Sequence, residues 1–238
     1  LGELIVRKLA KKGIKVIAVD LLPPKSPFPE NVAFHQLDVT SPSDIRRVAE
    51  SIRQAVGEPT VLINNAGVAV FKPMLEETDE EIQRTFDINI VAHFWLAREF
   101  LPHMIRRNHG HVVTVASMAS FVTVASNVDY SCSKAAALSF HEGLRQELKH
   151  RYKADRVRTS IVHPFWVRTA MLEEVLKRGA FRDPVLESDD VAEAIVGVVL
   201  KGKNRQLFMP CYGSLTAGLR GSPTWFQDAF RGARANVI

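Results

Sequence analysis

Residues 111–140 read HVVTVASMASFVTVASNVDYSCSKAAALSF. The opening run HVVTVAS predicts a buried strand ending at Ser117, and the stretch 127–152 predicts a helix. Tyr130 and Lys134 lie four residues apart in that helix, on one face of it, and Ser117 lies thirteen residues before the tyrosine. A cation beside a phenol favours the phenolate and lowers a pKa of about 10 toward neutrality. A tyrosine tuned in this way can exchange a proton with an alcohol or carbonyl oxygen near neutral pH. A lone Y-x-x-x-K pair arises by chance in many chains, so its weight comes from the residues around it.

Working outward, strand and helix patterns alternate along the whole chain. Residues 3–12 predict a helix closed by Gly13, and IKVIAVD a buried strand ending at Asp20. The Pro-rich LLPPKSPFPE is a loop, and NVAFHQLDV is the next strand. Ser41 and Pro42 cap and open the helix that stops at Gly57. PTVLINNAG is a strand with its turn, and one long helix over 79–108 is expected to bend near Pro102. VRTSIVHP, SDDVAEAIVGVVLKG and RQLFMP complete the series as strand, helix and strand. Most of these strands are nearly continuous Val/Ile/Leu runs, which argues for an α/β fold: a doubly wound parallel sheet covered on both faces, in a single domain. Residues 1–210 form that domain, with a tail over 211–238.

Bulk properties narrow the function. The chain has 238 residues, 46% hydrophobic and 24% charged, as soluble α/β proteins do. Its net charge of +5 is spread along helices among acidic neighbours, as in EGLRQELKHR, so it describes a solvated face and not a nucleic-acid surface. Two cysteines, Cys132 and Cys211, give no disulfide framework and suit a reducing compartment. Cys132 points away from the Tyr–Lys face and is expected to be packed. The eight histidines are scattered, with His109 and His111 in a loop, and suggest no metal site. No apolar run approaches the roughly 20 residues of a spanning helix.

Asn64-Asn65-Ala66-Gly67 follows the run TVLI, Asn89 sits in FDINIVAHF, and Val167 and Thr169 sit in HPFWVRTAM. In order and spacing, these motifs with Ser117, Tyr130 and Lys134 resemble the short-chain dehydrogenase/reductase family from residue 2 to about residue 210. The wording of VTVASMAS and VDYSCSKAA resembles the branch acting on retinol, steroids and other lipophilic alcohols. The resemblance implies a Rossmann-type fold and hydride transfer between an alcohol or its carbonyl and a nicotinamide cofactor. It implies Tyr130 as general acid/base, with Lys134 lowering its pKa and holding the nicotinamide ribose. Ser117 would bond the substrate oxygen, and Asn89 would hold a water that links Lys134 to solvent. Asp38 and Val39 would meet the adenine, Asn65, Ala66 and Gly67 the adenosine ribose, and Val167 and Thr169 the nicotinamide amide. Where the family has proline–glycine this chain has Pro164-Phe165, which alters the local turn.

Asp20, eighteen residues after Gly2, is placed to accept hydrogen bonds from the adenosine ribose and to repel a 2′-phosphate, which favours NAD over NADP. Gly2 resembles the last glycine of a nucleotide loop, with the first strand and the other glycines absent from this sequence, as any N-terminal anchor would be. Residues 165–187 occupy the place of a substrate lid, where Phe165, Trp166, Met171, Leu172 and Phe181 would cover a lipophilic alcohol or carbonyl. In the tail, Trp225, Phe226, Ala229, Phe230 and Ala233 form an apolar stripe beside Arg231 and Arg234. That stripe can lie on a membrane or lipid-droplet surface, close the pocket, or join subunits. The resemblance further implies the cytoplasmic side of such a surface, and a homodimer or homotetramer paired through the two long helices. A non-catalytic dinucleotide sensor is the reading from a different class, and an NADPH-dependent ketone reductase the one from the same class. A longer chain that carries the glycine loop is expected to gain more thermal stability from NADH than this one; equal shifts would contradict that.

Overall fold

The computed structural model describes residues 1–177, 181 and 183–232. Parts of the lid, and Ala233 and Arg234 of the tail stripe, lie outside the described residues. The strands are β1 (Val16–Asp20), β2 (Val32–Gln36), β3 (Val61–Asn64), β4 (Gly110–Val115), β5 (Val157–Pro164) and β6 (Arg205–Met209). Every ladder is parallel, in the order β1-β2 for one and β3-β4-β5-β6 for the other. Parallel strands need crossovers, and helices supply them on both faces. The helices are α1 (Gly2–Lys11), α2 (Pro42–Val56), α3 (Asp79–Phe86), α4 (Ala92–Arg107), α5 (Val128–His150), α6 (Ala170–Lys177), α7 (Ser188–Lys201) and α8 (Thr224–Gly232). The fold is the doubly wound α/β sheet that the alternation of patterns implies.

The core forms two layers. On one face, α2, α4 and α5 pack Ile45, Val48, Leu96, Met104 and Leu148 against Val112 of β4. On the other, α1 and α7 pack Ile5, Leu9, Ile195 and Val196 against Val113 and Val162. Alternate residues of β4 thus serve opposite layers, as strand geometry requires. Both faces of β4 are buried along its whole length, which explains why valines occupy both sides of it.

Sequence punctuation sets several boundaries. Ser41 Oγ accepts from the Asp44 amide at 3.2 Å and caps α2, while Pro42 takes the first turn, where its missing N–H does no harm. Thr78 and Glu81 form a reciprocal capping box on α3. Gly13 follows α1 with φ 75°, a conformation open to glycine at little cost.

The long helix of 79–108 departs from expectation. The α-helix continues through Pro102, which sits inside α4. The segment is instead divided by a π-helical turn over Asp87–Val91, and Asn89 sits in that turn. Other corrections are smaller. Cys132 is exposed and not packed. His111 lies in β4, not in a loop, and is bonded at 2.8 Å to Ser160 of β5. A helix, α6, occupies what reads as irregular lid.

Where β4 begins, Gly110 lies against α4 so closely that an added Cβ would come within 2.6–2.7 Å of Met104 Cγ, Sδ and Cβ. Met104 is fully buried and has no room to retreat. Gly110→Ala is therefore expected to lower stability by about 1–3 kcal/mol, measured by urea unfolding; an unchanged midpoint would show that the helix shifts freely.

Candidate active site

The carboxyl ends of β3, β4 and β5 deliver Asn64, Val115 and Pro164 to one rim of the sheet. α5 starts at Val128 and brings Tyr130 and Lys134 to the same rim. A cavity of about 1410 Å³ opens there, lined by Asp20, Gly67, Ser117, Tyr130, Lys134 and Thr169 among others. Gly2, Asp38, Val39, Asn65, Ala66 and Val167 line it too. Of the sequence-predicted site residues, only Asn89 does not reach the wall. It stands behind it, 0% exposed.

Lys134 is almost wholly buried, at 3% exposure. Its Nζ donates to the Val115 carbonyl at 3.1 Å and lies 5.5 Å from the centroid of the Tyr130 ring. Burial lowers its pKa from 10.5 to about 8, since little water remains to solvate the charge. Burial likewise pushes the Tyr130 phenol above its usual value, and a hydrogen bond from Ser117 pulls the other way. The lowering expected from Lys134 is not among the causes of the shift, and loss of solvent leads. The ammonium is spent on a carbonyl and placed over the ring, so its field at the phenol does not lead.

The supports behind these groups were not legible in the sequence. Asn89 Oδ1 accepts from the Val68 amide at 2.8 Å, while Nδ2 donates to the Val68 carbonyl at 2.9 Å and to Ser133 Oγ at 2.9 Å. Both of its N–H donors are therefore committed to protein. Asn89 clamps the loop after β3 to α5, and a water would have to use the second lone pair of Oδ1 or the main chain. Ser133 Oγ in turn donates to the Tyr130 carbonyl at 2.7 Å. Ser120 is not free for chemistry: it is buried and donates to the Lys134 carbonyl at 2.8 Å. Ser117 Oγ accepts from the Ala119 amide at 3.1 Å. His163 steadies the same serine from β5. Its Nδ1 donates to the Ser117 carbonyl at 3.2 Å, while Gln206 Nε2 donates to its Nε2 at 3.2 Å. Since a carbonyl can only accept, the tautomer follows from the partners. Burial holds His163 neutral, with a pKa of about 4.

The remaining residues suit a flat, polyhydroxylated ligand with a long footprint. A Cβ on Gly67 would meet Asn89 Oδ1 at 3.3 Å and Lys134 Nζ at 3.4 Å, so only glycine leaves that approach open. A Cβ on Gly2 would fall 2.8 Å from Asn65 Nδ2, which brings α1 close to the β3 turn. Asn65 Oδ1 is buried without a hydrogen-bond partner among the described residues. Asp20 is exposed at the end of β1, and its carboxylate accepts from the Leu22 amide at 3.1 Å. Asp38 is turned inward, accepting from the Thr40 amide and hydroxyl at 2.9 and 2.7 Å. Thr169 stands at the start of α6, and its carbonyl accepts from the Leu172 amide at 2.9 Å. Phe165, in place of glycine, donates its amide to the Met209 carbonyl at 2.8 Å and extends the β5–β6 ladder. The bulky residue is accommodated, and the turn is a strand continuation.

Residues 1–179 match the family model described as short chain dehydrogenase. The chain belongs to that family. Its members are oxidoreductases that work with a nicotinamide dinucleotide, and the site geometry fits one. The chain is similar to "Dehydrogenase RED3" of Cochliobolus heterostrophus, 55% identical over 131 residues, covering 55% of this chain and 67% of that protein. It is 36% identical over 176 residues to human 17-beta-hydroxysteroid dehydrogenase 13, covering 74% of this chain and 57% of the relative. Among solved structures, the closed form of a serine dehydrogenase complexed with NADP+ aligns with a TM-score of 0.75 and 27% identity, covering 87% and 89% of the two chains. The chain thus spans from over half to about two thirds of these curated relatives' length.

The tail borders the cavity. A 3-10 stretch over Cys211–Gly221 and then α8 follow β6, and Tyr212, Leu215 and Phe230 line the opening. Trp225 and Phe226 are exposed. Among the described residues no helix is long and apolar enough to cross a membrane.

Because the folded pKa of Lys134 lies below its unfolded value, protonation is easier in the unfolded chain between about 8 and 10.5. Stability arising from this group therefore rises with pH through that window and is lowest below it. Thermal unfolding of the wild type should gain on Lys134→Met as pH rises through about 8. A constant difference across the window would mean that the lysine is hydrated.

Proposed function

We propose that the protein interconverts a lipophilic alcohol and its carbonyl compound with NAD, with Tyr130 as general acid/base. One observation carries the reading: Ser117, Tyr130 and Lys134 meet on a single cavity wall, in a hydrogen-bonded setting that leaves the phenol facing the cavity. A bound nicotinamide dinucleotide supplies the hydride acceptor or donor. In the oxidative direction the alcohol O–H proton passes to the Tyr130 oxygen as its carbinol hydrogen leaves with two electrons; reduction reverses both transfers. Ser117 bonds the substrate oxygen and stabilises its developing negative charge. Lys134 holds the ribose, Asn89 holds the loop that bears Gly67, and Val167 and Thr169 hold the carboxamide. Gly2, Asn65, Ala66, Asp38 and Val39 shape the adenosine side.

The cofactor preference rests on Asp20. An exposed carboxylate at the end of β1 favours two ribose hydroxyls and opposes a 2′-phosphate. The NADP+ of the similar serine dehydrogenase belongs to that protein and keeps NADPH-dependent reduction as the second reading. The lipophilic substrate is supported by the apolar lid, where Leu172 and Val175 of α6 pack with Phe71, and by likeness to a hydroxysteroid dehydrogenase. Phe230, Tyr212 and Leu215 at the opening suit a tail that closes over such a substrate, with a lipid surface or a second subunit as its outer neighbour.

Tyr130→Phe should lower turnover of alcohols by about 10²–10⁴-fold while leaving NADH binding intact, followed by absorbance at 340 nm and NADH fluorescence. Cofactor binding without turnover in the wild type, across a panel of alcohols, would instead mark a sensor. Asp20→Ala should narrow the kcat/KM ratio of NAD+ over NADP+; a wild type that already prefers NADP+ would contradict the assignment.

A further inference from the structure

The loop after β3 holds an aromatic residue in a conformation that side chains disfavour. Phe71 has φ 59°, in the left-handed region where a bulky residue is an outlier. Such a conformation persists only where the surroundings over-determine it, and these positions concentrate at ligand clamps. Here the surroundings are rings. Phe71 is buried, with its ring centroid 6.4 Å from Tyr130 on one side and 6.1 Å from Trp166 on the other. Trp166 sits edge-on to Phe181 at 5.3 Å, and its indole N–H donates to Asp183 at 3.1 Å. Leu172 and Val175 of α6 complete the cluster. Phe71, Tyr130 and Trp166 all line the cavity.

Phe71 therefore links the Tyr130 ring to the lid through contacts with both rings. We propose that Phe71 is a specificity-determining residue, favouring alcohols whose carbinol carbon bears a flat unsaturated or aromatic group. The inference rests on Tyr130 being the proton-transfer group. A substrate oxygen at that hydroxyl puts the adjoining substituent beside the Phe71 and Trp166 rings. Flat π groups meet such rings in tilted or edge-to-face contact, a gain beyond area that a saturated ring of similar size lacks. Rings that merely fastened the lid would not tell the two apart.

The test compares 1-phenylethanol with 1-cyclohexylethanol as substrates of the complete protein with NAD+. The wild type should favour the phenyl compound in kcat/KM by roughly three- to tenfold, the range such ring pairs support. Phe71→Leu should bring that ratio close to one, mainly through KM, whereas Phe71→Tyr should preserve it. Thermal unfolding and NADH fluorescence establish that each variant is folded; if Phe71→Leu is not, Trp166→Leu asks the same question of the same cluster. A wild-type ratio near one, or an unchanged ratio in the folded leucine variant, overturns the inference and leaves the proposed function standing. Turnover of neither these nor any other alcohol by a protein that binds NADH removes the proposed function, and this inference with it.

Discussion

The buried ammonium of Lys134 is the constraint around which the site is arranged. A charge withdrawn from water to this degree needs partners or it gives up its proton. The Val115 carbonyl at the end of β4 is one partner, and the face of Tyr130 provides another. Both depend on where α5 starts relative to β4. That position is fixed in turn by Ser120, bonded to the Lys134 carbonyl, and by the Asn89 clamp through Ser133. The cost of burying the cation is thus spread over the end of β4, the first turns of α5, the short turn that bears Ser120 and the π-turn that bears Asn89.

The electrostatics differ from a simple picture of a cation acidifying a phenol. In the protein alone burial dominates, raising Tyr130 and lowering Lys134. The two values therefore move apart, and in the window between them burial favours the uncharged form of both groups. A ligand whose hydroxyls lie between them would change the balance further by bonding the charged forms. Catalytic tuning is then a property of the filled site, with the fold providing distances and exclusion of water.

Much of the architecture was legible because it follows from local rules. Strand positions came from apolar runs, and α2 from Ser41, Pro42 and Gly57. The Tyr130–Lys134 pair and its serine follow from helical spacing and offset. The Asn89 clamp did not, because its partners are a backbone group in another loop and a serine 44 residues away. The division of the long helix at the π-turn was hidden for the same reason, since the hydrogen bonds of Asn89 in that turn are tertiary. The roles of His163 and Ser120 as supports, and the conformation of Phe71, are likewise tertiary. His163 reaches the Ser117 carbonyl from another strand, 46 residues away, a contact that no local pattern carries.

The most direct measurement is the titration of the Tyr130 phenol by ultraviolet difference spectroscopy, in the wild type and in Lys134→Met, each with and without saturating NAD+. Tyr130→Phe serves as the blank that isolates this residue among the three tyrosines. The account predicts a phenol above 10.0 in the protein alone, falling well below that when NAD+ binds, and falling only where Lys134 is present. A phenol that titrates at the same pH in all four states would contradict it.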